Sequence, residues 1–154
     1  MDAIHLISKQ YINTSILLNK LENVALTIES EYLPQRSIRL ANVQIKKGEG
    51  YNNSEYLDIY IRDLEGYNTS FNNLYGINNY GILVEIDYNK NENLIVPFLR
   101  EILKEMPELL VYDEETPKGI DCYVYNKQFF DNNPGTDYYA VLDKNPPKSL
   151  NDLA

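Results

Sequence analysis

Cysteine occurs once in this 154-residue chain, at Cys122, so no internal disulfide can form and a four-cysteine zinc site is excluded. Tryptophan is absent, and a single histidine, His5, must serve any reaction that needs an imidazole. No unbroken apolar run approaches the roughly 18 residues of a membrane span. Basic side chains are also scarce: 14 against 23 acids, a formal net charge of −9. A field of that sign repels phosphate backbones, which argues against direct nucleic-acid binding and favours partners with a positive surface. Missing as well are G-x-G-x-x-G, the P-loop, H-E-x-x-H and paired C-x-x-C. The opening MDAIHLISKQYINTS places an acid at Asp2 and has no basic leader before a long apolar core. A cytoplasmic protein without cofactor is the expectation.

What the chain does contain is tyrosine, 14 against 4 phenylalanines, a balance suited to sheets with half-wet faces. The stretch Tyr80–Tyr112 reads as strand, helix, strand. In Gly81–Tyr88, Ile82, Val84, Ile86 and Tyr88 alternate with Leu83, Glu85 and Asp87. Next, Leu94, Ile95, Phe98, Leu99, Ile102, Leu103 and Met106 recur at helical spacing opposite Arg100, Glu101, Lys104 and Glu105. Pro97 falls in the first turn if Asn93 is the cap, and Pro107 stops the helix before the apolar run Leu109–Tyr112.

Upstream, Ile4, Ile7, Tyr11, Leu18, Leu21, Ala25 and Ile28 follow three/four spacing, which predicts an N-terminal helix, firmest to about Lys20. Ser37–Lys46 and Tyr56–Arg62 predict a hairpin. In its second arm Leu57, Ile59 and Ile61 are on the dry face and Tyr56, Asp58, Tyr60 and Arg62 on the wet one. Leu64–Asn79, with Gly66, Gly76 and several asparagines, reads as a long loop carrying Tyr67 and Tyr75. Ile120–Tyr125 reads as a further strand, and Tyr138–Leu142 as an edge strand or a strap across the core. These elements predict one α+β domain over residues 1–145, with a mixed, mainly antiparallel sheet and helices on one face. Residues 146–154, which open on Pro146–Pro147, are expected to form an extended or frayed tail.

Candidate chemistry is thin. His5 and Cys122 form a nucleophilic pair only if folding brings them together and orients them. Asp131, Asn133 and Asp137 alternate as in a calcium loop, but Pro134 interrupts them and no glutamate stands at the bidentate position. Glu85 and Asp87 with the acids at 113–115 could in principle hold a divalent cation for hydrolysis. No catalytic or metal residue is assigned.

The remaining pattern is tyrosine interleaved with carboxylate: Tyr56, Asp58, Tyr60, Asp63, Glu65, Tyr67, Tyr75, Glu85, Asp87, Asp113, Glu114 and Glu115. Tyrosine supplies contact area at low rotamer cost, and carboxylates steer toward lysine and arginine on a partner. In size, acidity and this pattern the chain resembles the immunity proteins that neutralise bacterial toxins. That resemblance implies a small inhibitor of a basic partner such as a nuclease. The alternatives are a carboxylate-based metal-dependent hydrolase and a regulatory or structural subunit.

Overall fold

The computed structural model describes residues 3–35, 41–48, 55–75, 77, 79–88, 92–113, 122–143 and 147–150. Strand β1 (Ala3–Ser8) leads into helix α1 (Thr14–Thr27), followed by β2 (Glu31–Gln35), β3 (Ala41–Lys47) and β4 (Glu55–Ile61). Helix α2 (Leu64–Tyr75) precedes β5 (Gly81–Asp87), α3 (Glu92–Glu105) and β6 (Leu110–Asp113). The described chain closes with β7 (Tyr123–Val124), α4 (Lys127–Asn132), a wide helical turn at Tyr139–Asp143 and β8 (Lys148–Ser149). The main sheet runs β2-β3-β4-β5-β1-β6 with every neighbouring pair antiparallel, and β7 and β8 form a separate ribbon. The architecture is α+β, as the element pattern predicts.

The N-terminus departs from the expected helix. Ala3–Ser8 is a strand between β5 and β6, and all six residues are buried, His5 and Ser8 included. A strand covered on both faces loses the apolar/polar alternation that would reveal it, and its Ile4/Ile7 spacing then mimics a helix. The helix itself starts later, where Asn13 accepts from Ser15 N at 2.8 Å. It runs on to Thr27 and ends in a Schellman-type turn: Glu29 N–H donates to Leu26 O at 3.1 Å, and Ser30 N–H to Ala25 O at 2.8 Å. Glu29, at φ 56°, fills the left-handed position that glycine usually takes.

Inserting β1 between β5 and β6 also answers how the central strand, helix, strand unit closes. The two strands are parallel to one another, but each hydrogen-bonds to antiparallel β1 rather than to the other. Helix α3 begins at Glu92, so Pro97 lies inside it rather than in its first turn. The predicted stop before Pro107 is met, with Met106 N–H donating to Ile102 O as the last helical bond.

Two apolar clusters divide the faces of the sheet. The larger joins Ile4 and Leu6 of β1, Val43 and Ile45 of β3, Leu57, Ile59 and Ile61 of β4, and Val84 and Ile86 of β5 to the buried faces of α1 and α3. The smaller gathers Ile7, Ile82, Leu110, Tyr112, Cys122, Val124, Leu150 and Phe71. Side-chain alternation along β1 and β6 puts these clusters on opposite faces. The register shifts between Leu6 and Ile7, which pair with Val84 and Ile82 and leave Leu83 as an extra residue. Ile82 therefore joins the smaller cluster, while Leu83 packs beside Val84 in the larger one. The strict alternation read from the sequence breaks at this bulge.

Leu64–Tyr75 is a helix, not a loop. Asp63 begins it, its carboxylate accepting from Gly66 N at 2.7 Å and its carbonyl from Tyr67 N at 2.9 Å. Tyr67 and Phe71, one turn apart, are both buried, and the tertiary contact they make outweighs the poor propensity of glycine and asparagine. Tyr138–Leu142 is likewise helical rather than an edge strand, and Val141 and Leu142 are buried in the larger cluster. Downstream, Lys148–Ser149 pairs with Tyr123–Val124, and Leu150 N–H donates to Cys122 O at 2.8 Å.

Candidate functional site

On the hairpin β3–β4 and on β5, the residues turned away from the helices form a polar face. Leu57, Ile59 and Ile61 are buried, which leaves Tyr56, Asp58, Tyr60 and Arg62 on the other side, as predicted. The register then joins what sequence alone could not. Asp58 stands directly opposite Asp87, and Tyr60 directly opposite Glu85. Gln44 of β3 is opposite Asp58 and donates to it at 2.8 Å. Residues paired this way have their Cβ atoms about 4.5–5.5 Å apart.

Arg62 bonds Glu85 at 2.7 Å, with both side chains less than one-third exposed. Tyr60 sits among three carboxylates. Burial first, then the charges of Asp58, Asp87 and Glu85, raise its phenol above the ordinary 10.0. Tyr56 is 37% exposed at the margin of this group.

None of the residues in the smaller apolar cluster comes from β3 or β4. Phe71 and the β7–β8 ribbon cover the half of this face formed by β1, β6 and the start of β5. The half carrying Tyr56, Asp58, Tyr60 and Asp87 has no part in that cluster.

Other predicted contact residues are placed elsewhere. Asp63 is spent on capping α2, and Glu65 lies exposed in its first turn. Tyr67 is buried, and its hydroxyl donates to Ser8 O at 2.7 Å, so it is a strut of the core rather than a surface ring. Asp113 is 3% exposed and accepts from the Tyr138 hydroxyl at 3.2 Å. Tyr138 in turn stacks on Tyr88 at 5.8 Å. Burial, the Asp113 charge and a hydrogen bond with Tyr88 push the Tyr138 phenol upward. Asp113 shares a strand side with Val111 of the larger cluster, whereas Glu85 and Asp87 point to the opposite face. Asp113 is thus separated from Glu85 and Asp87 by the sheet. Glu114, Glu115 and the Tyr75 side chain lie outside the described residues. Among the described residues no three His, Cys, Asp or Glu side chains are placed to hold a metal ion.

The calcium-like loop is occupied otherwise. Asp131 bonds Lys127 at 2.7 Å, Asp137 accepts from Ala140 N at 3.0 Å, and the Asn133 carbonyl accepts from Arg100. His5 is buried beside Tyr112, their rings 5.7 Å apart. Burial raises the Cys122 thiol to about 11, the reverse of what a nucleophilic cysteine needs. Among the described residues no helix is long and apolar enough to cross a membrane.

Sequence reasoning missed Gln44 as a member of the polar face. The signal was present, since Asn42, Gln44 and Lys46 alternate with Val43 and Ile45, but only the register shows that Gln44 meets Asp58. No family model, curated protein or solved structure matches the chain.

Proposed function

We propose that this chain is a binding protein whose target is a basic protein, held through the polar face of β3, β4 and β5. The observation that carries the reading is the juxtaposition of Asp58 with Asp87, flanked by Tyr60, Glu85 and the exposed Tyr56. Two like charges directly opposite on one rung concentrate negative potential at that point of the face. A cationic side chain of a partner is drawn to that potential, and the phenols supply contact area around it. The overall charge of −9 steers the same partner from a distance. Blocking a basic toxin, a nuclease among them, is the biological form this binding would take in a small acidic protein of the cytoplasm.

The test is to capture partners on the immobilised chain, purify the captured protein and remeasure its affinity as salt is raised. A basic partner whose affinity falls about tenfold or more from low to physiological ionic strength, and is lost on Asp58→Lys, fits the proposal. A neutral or acidic partner, or one indifferent to salt, defeats it.

A further inference from the structure

We propose that Lys148–Leu150 is a strap that lifts off β7 while the rest of the fold stays closed, and that this local opening is what admits reagents to the Cys122 thiol. Three observations converge.

The first is what the strap covers. Continuing the β7–β8 register one step past Tyr123 and Ser149 sets Leu150 directly opposite Cys122, and the Leu150 N–H donates to the Cys122 carbonyl at 2.8 Å. Side chains at opposed positions have their Cβ atoms about 4.5–5.5 Å apart. Both residues belong to the smaller apolar cluster, and both are buried. The one thiol of the chain therefore has a leucine of the strap across the ladder from it.

The second is how lightly the strap is fastened. Strand β8 is two residues long, and Pro147 before it has no N–H with which to extend the ladder. Among the described residues, what holds it is backbone pairing with β7 and the packing of Leu150. The segment upstream is fastened by side chains as well: Arg100 donates to the carbonyls of Phe130, Asn133 and Gly135, and the Tyr138 hydroxyl donates to Asp113.

The third is that β7 keeps its own anchor when the strap leaves. Tyr125, the residue after β7, exchanges two backbone bonds with Val111 of β6, each at 2.8 Å. Segments that bury few apolar groups open at free energies below that of global unfolding. With the strap down, burial raises the thiol to about 11, so at about pH 8 hardly any of it is the thiolate that reacts. With the strap lifted, the thiol meets water and regains ordinary reactivity.

Alkylation of Cys122 in the full chain by iodoacetamide, followed by mass spectrometry across a urea series at about pH 8, tests the strap. The reagent is kept where the rate is first order in it, so that labelling reports the open population. The expected profile has a branch nearly flat in urea, because the strap exposes little surface, which joins a steep branch as the whole fold opens. Leu150→Ala should raise the flat branch about thirtyfold or more. Ile59→Val, in the larger cluster on the other side of the sheet, should raise the steep branch about two- to tenfold and leave the flat branch within a factor of about two. If Leu150→Ala fails to fold, the wild-type profile and Ile59→Val still decide. Labelling that follows the steep branch at every urea concentration would overturn local opening. A flat branch that Leu150→Ala leaves unchanged would overturn the strap as the gate, and so would labelling as fast as that of an unfolded peptide.

Discussion

Replacing Gly81 with alanine should destabilise the fold strongly for so small a change, because α2 rests on β5 at that residue with no room for a side chain. A Cβ added there would overlap Cε2 of Tyr67, and would lie 2.5 Å from Cδ2 and 2.5 Å from the Tyr67 carbonyl oxygen. Swinging the ring away does not help, since the carbonyl belongs to the helix backbone. The helix must move as a body, and the Tyr67 hydroxyl would leave Ser8 O, which it now meets at 2.7 Å. Overpacking of this kind costs about 1–3 kcal/mol, and the lost hydrogen bond adds about 1 kcal/mol. The expected total of about 2–4 kcal/mol lowers the melting temperature by roughly 5–15 °C in a domain of this size. Urea unfolding of Gly81→Ala, with Tyr67→Phe beside it, separates the parts. Tyr67→Phe removes only the hydroxyl and should lose about 1 kcal/mol. Pairing Gly81→Ala with Tyr67→Ala should not restore stability, because the backbone oxygen remains in the way. A Gly81→Ala variant within about 0.5 kcal/mol of the parent would refute the close approach of α2 to β5.

Other parts of the fold carry three more expectations. Arg100 donates to the carbonyls of Gly135 (2.7 Å), Phe130 and Asn133, gathering the end of α4 and the turn after it. Its loss in Arg100→Ala should cost about 2–4 kcal/mol, with Arg100→Lys recovering less than half because an ammonium cannot span the same fork of acceptors; denaturant midpoints decide. Glu29→Gly should stabilise by about 0.5–1 kcal/mol, since glycine occupies the left-handed position at the end of α1 without strain, and a lower melting temperature would contradict the assigned turn. Alkaline pH should destabilise the protein. The Cys122 thiol is raised from 9.0 to about 11 by burial, so its contribution is complete below 9.0 and lost as pH climbs through about 11. The phenols of Tyr67 and Tyr138, raised from 10.0 chiefly by burial, extend the loss upward. Cys122→Ala should therefore flatten the first part of the stability curve above pH 9.0, and an unchanged slope there would refute the thiol's burial.

Legibility in this sequence tracks how much of each element faces water. Tyr56–Arg62 reads correctly because one side is wet, so Leu57, Ile59 and Ile61 stand out against Asp58 and Tyr60. Helix α3 is legible for the same reason, although its pattern puts Arg100 on the solvent side when that residue is committed to α4. Ala3–Ser8 misleads because it is covered on both faces and carries no alternation at all. Helix α2 escapes notice because its glycine and asparagines speak for a loop. What holds it is contact at a distance, Tyr67 on Ser8 and Phe71 edge-on to Tyr112 within the smaller apolar cluster. Within the candidate face, the strand positions of Tyr56, Asp58, Tyr60, Glu85 and Asp87 are legible one strand at a time. That Asp58 meets Asp87 is not, because the register between β4 and β5 joins segments separated by the whole of α2.

That register also explains how an unfavourable rung survives. Beneath Asp58 and Asp87, on the other side of the same strands, Leu57, Ile59, Val84 and Ile86 are fully buried. Each contributes about 1.5–3 kcal/mol of burial, whereas like charges directly opposite cost only about 0.2–1 kcal/mol. Slipping β4 by one residue against β5 would separate the carboxylates but would turn the aliphatic side chains to water, a loss several times larger. The apolar side thus dictates the pairing, and the polar side must accept whatever neighbours result. An asparagine at either position would remove the repulsion without disturbing the core. The Asp58–Asp87 pairing thus follows from the register that Leu57, Ile59, Val84 and Ile86 impose from the other side of the sheet.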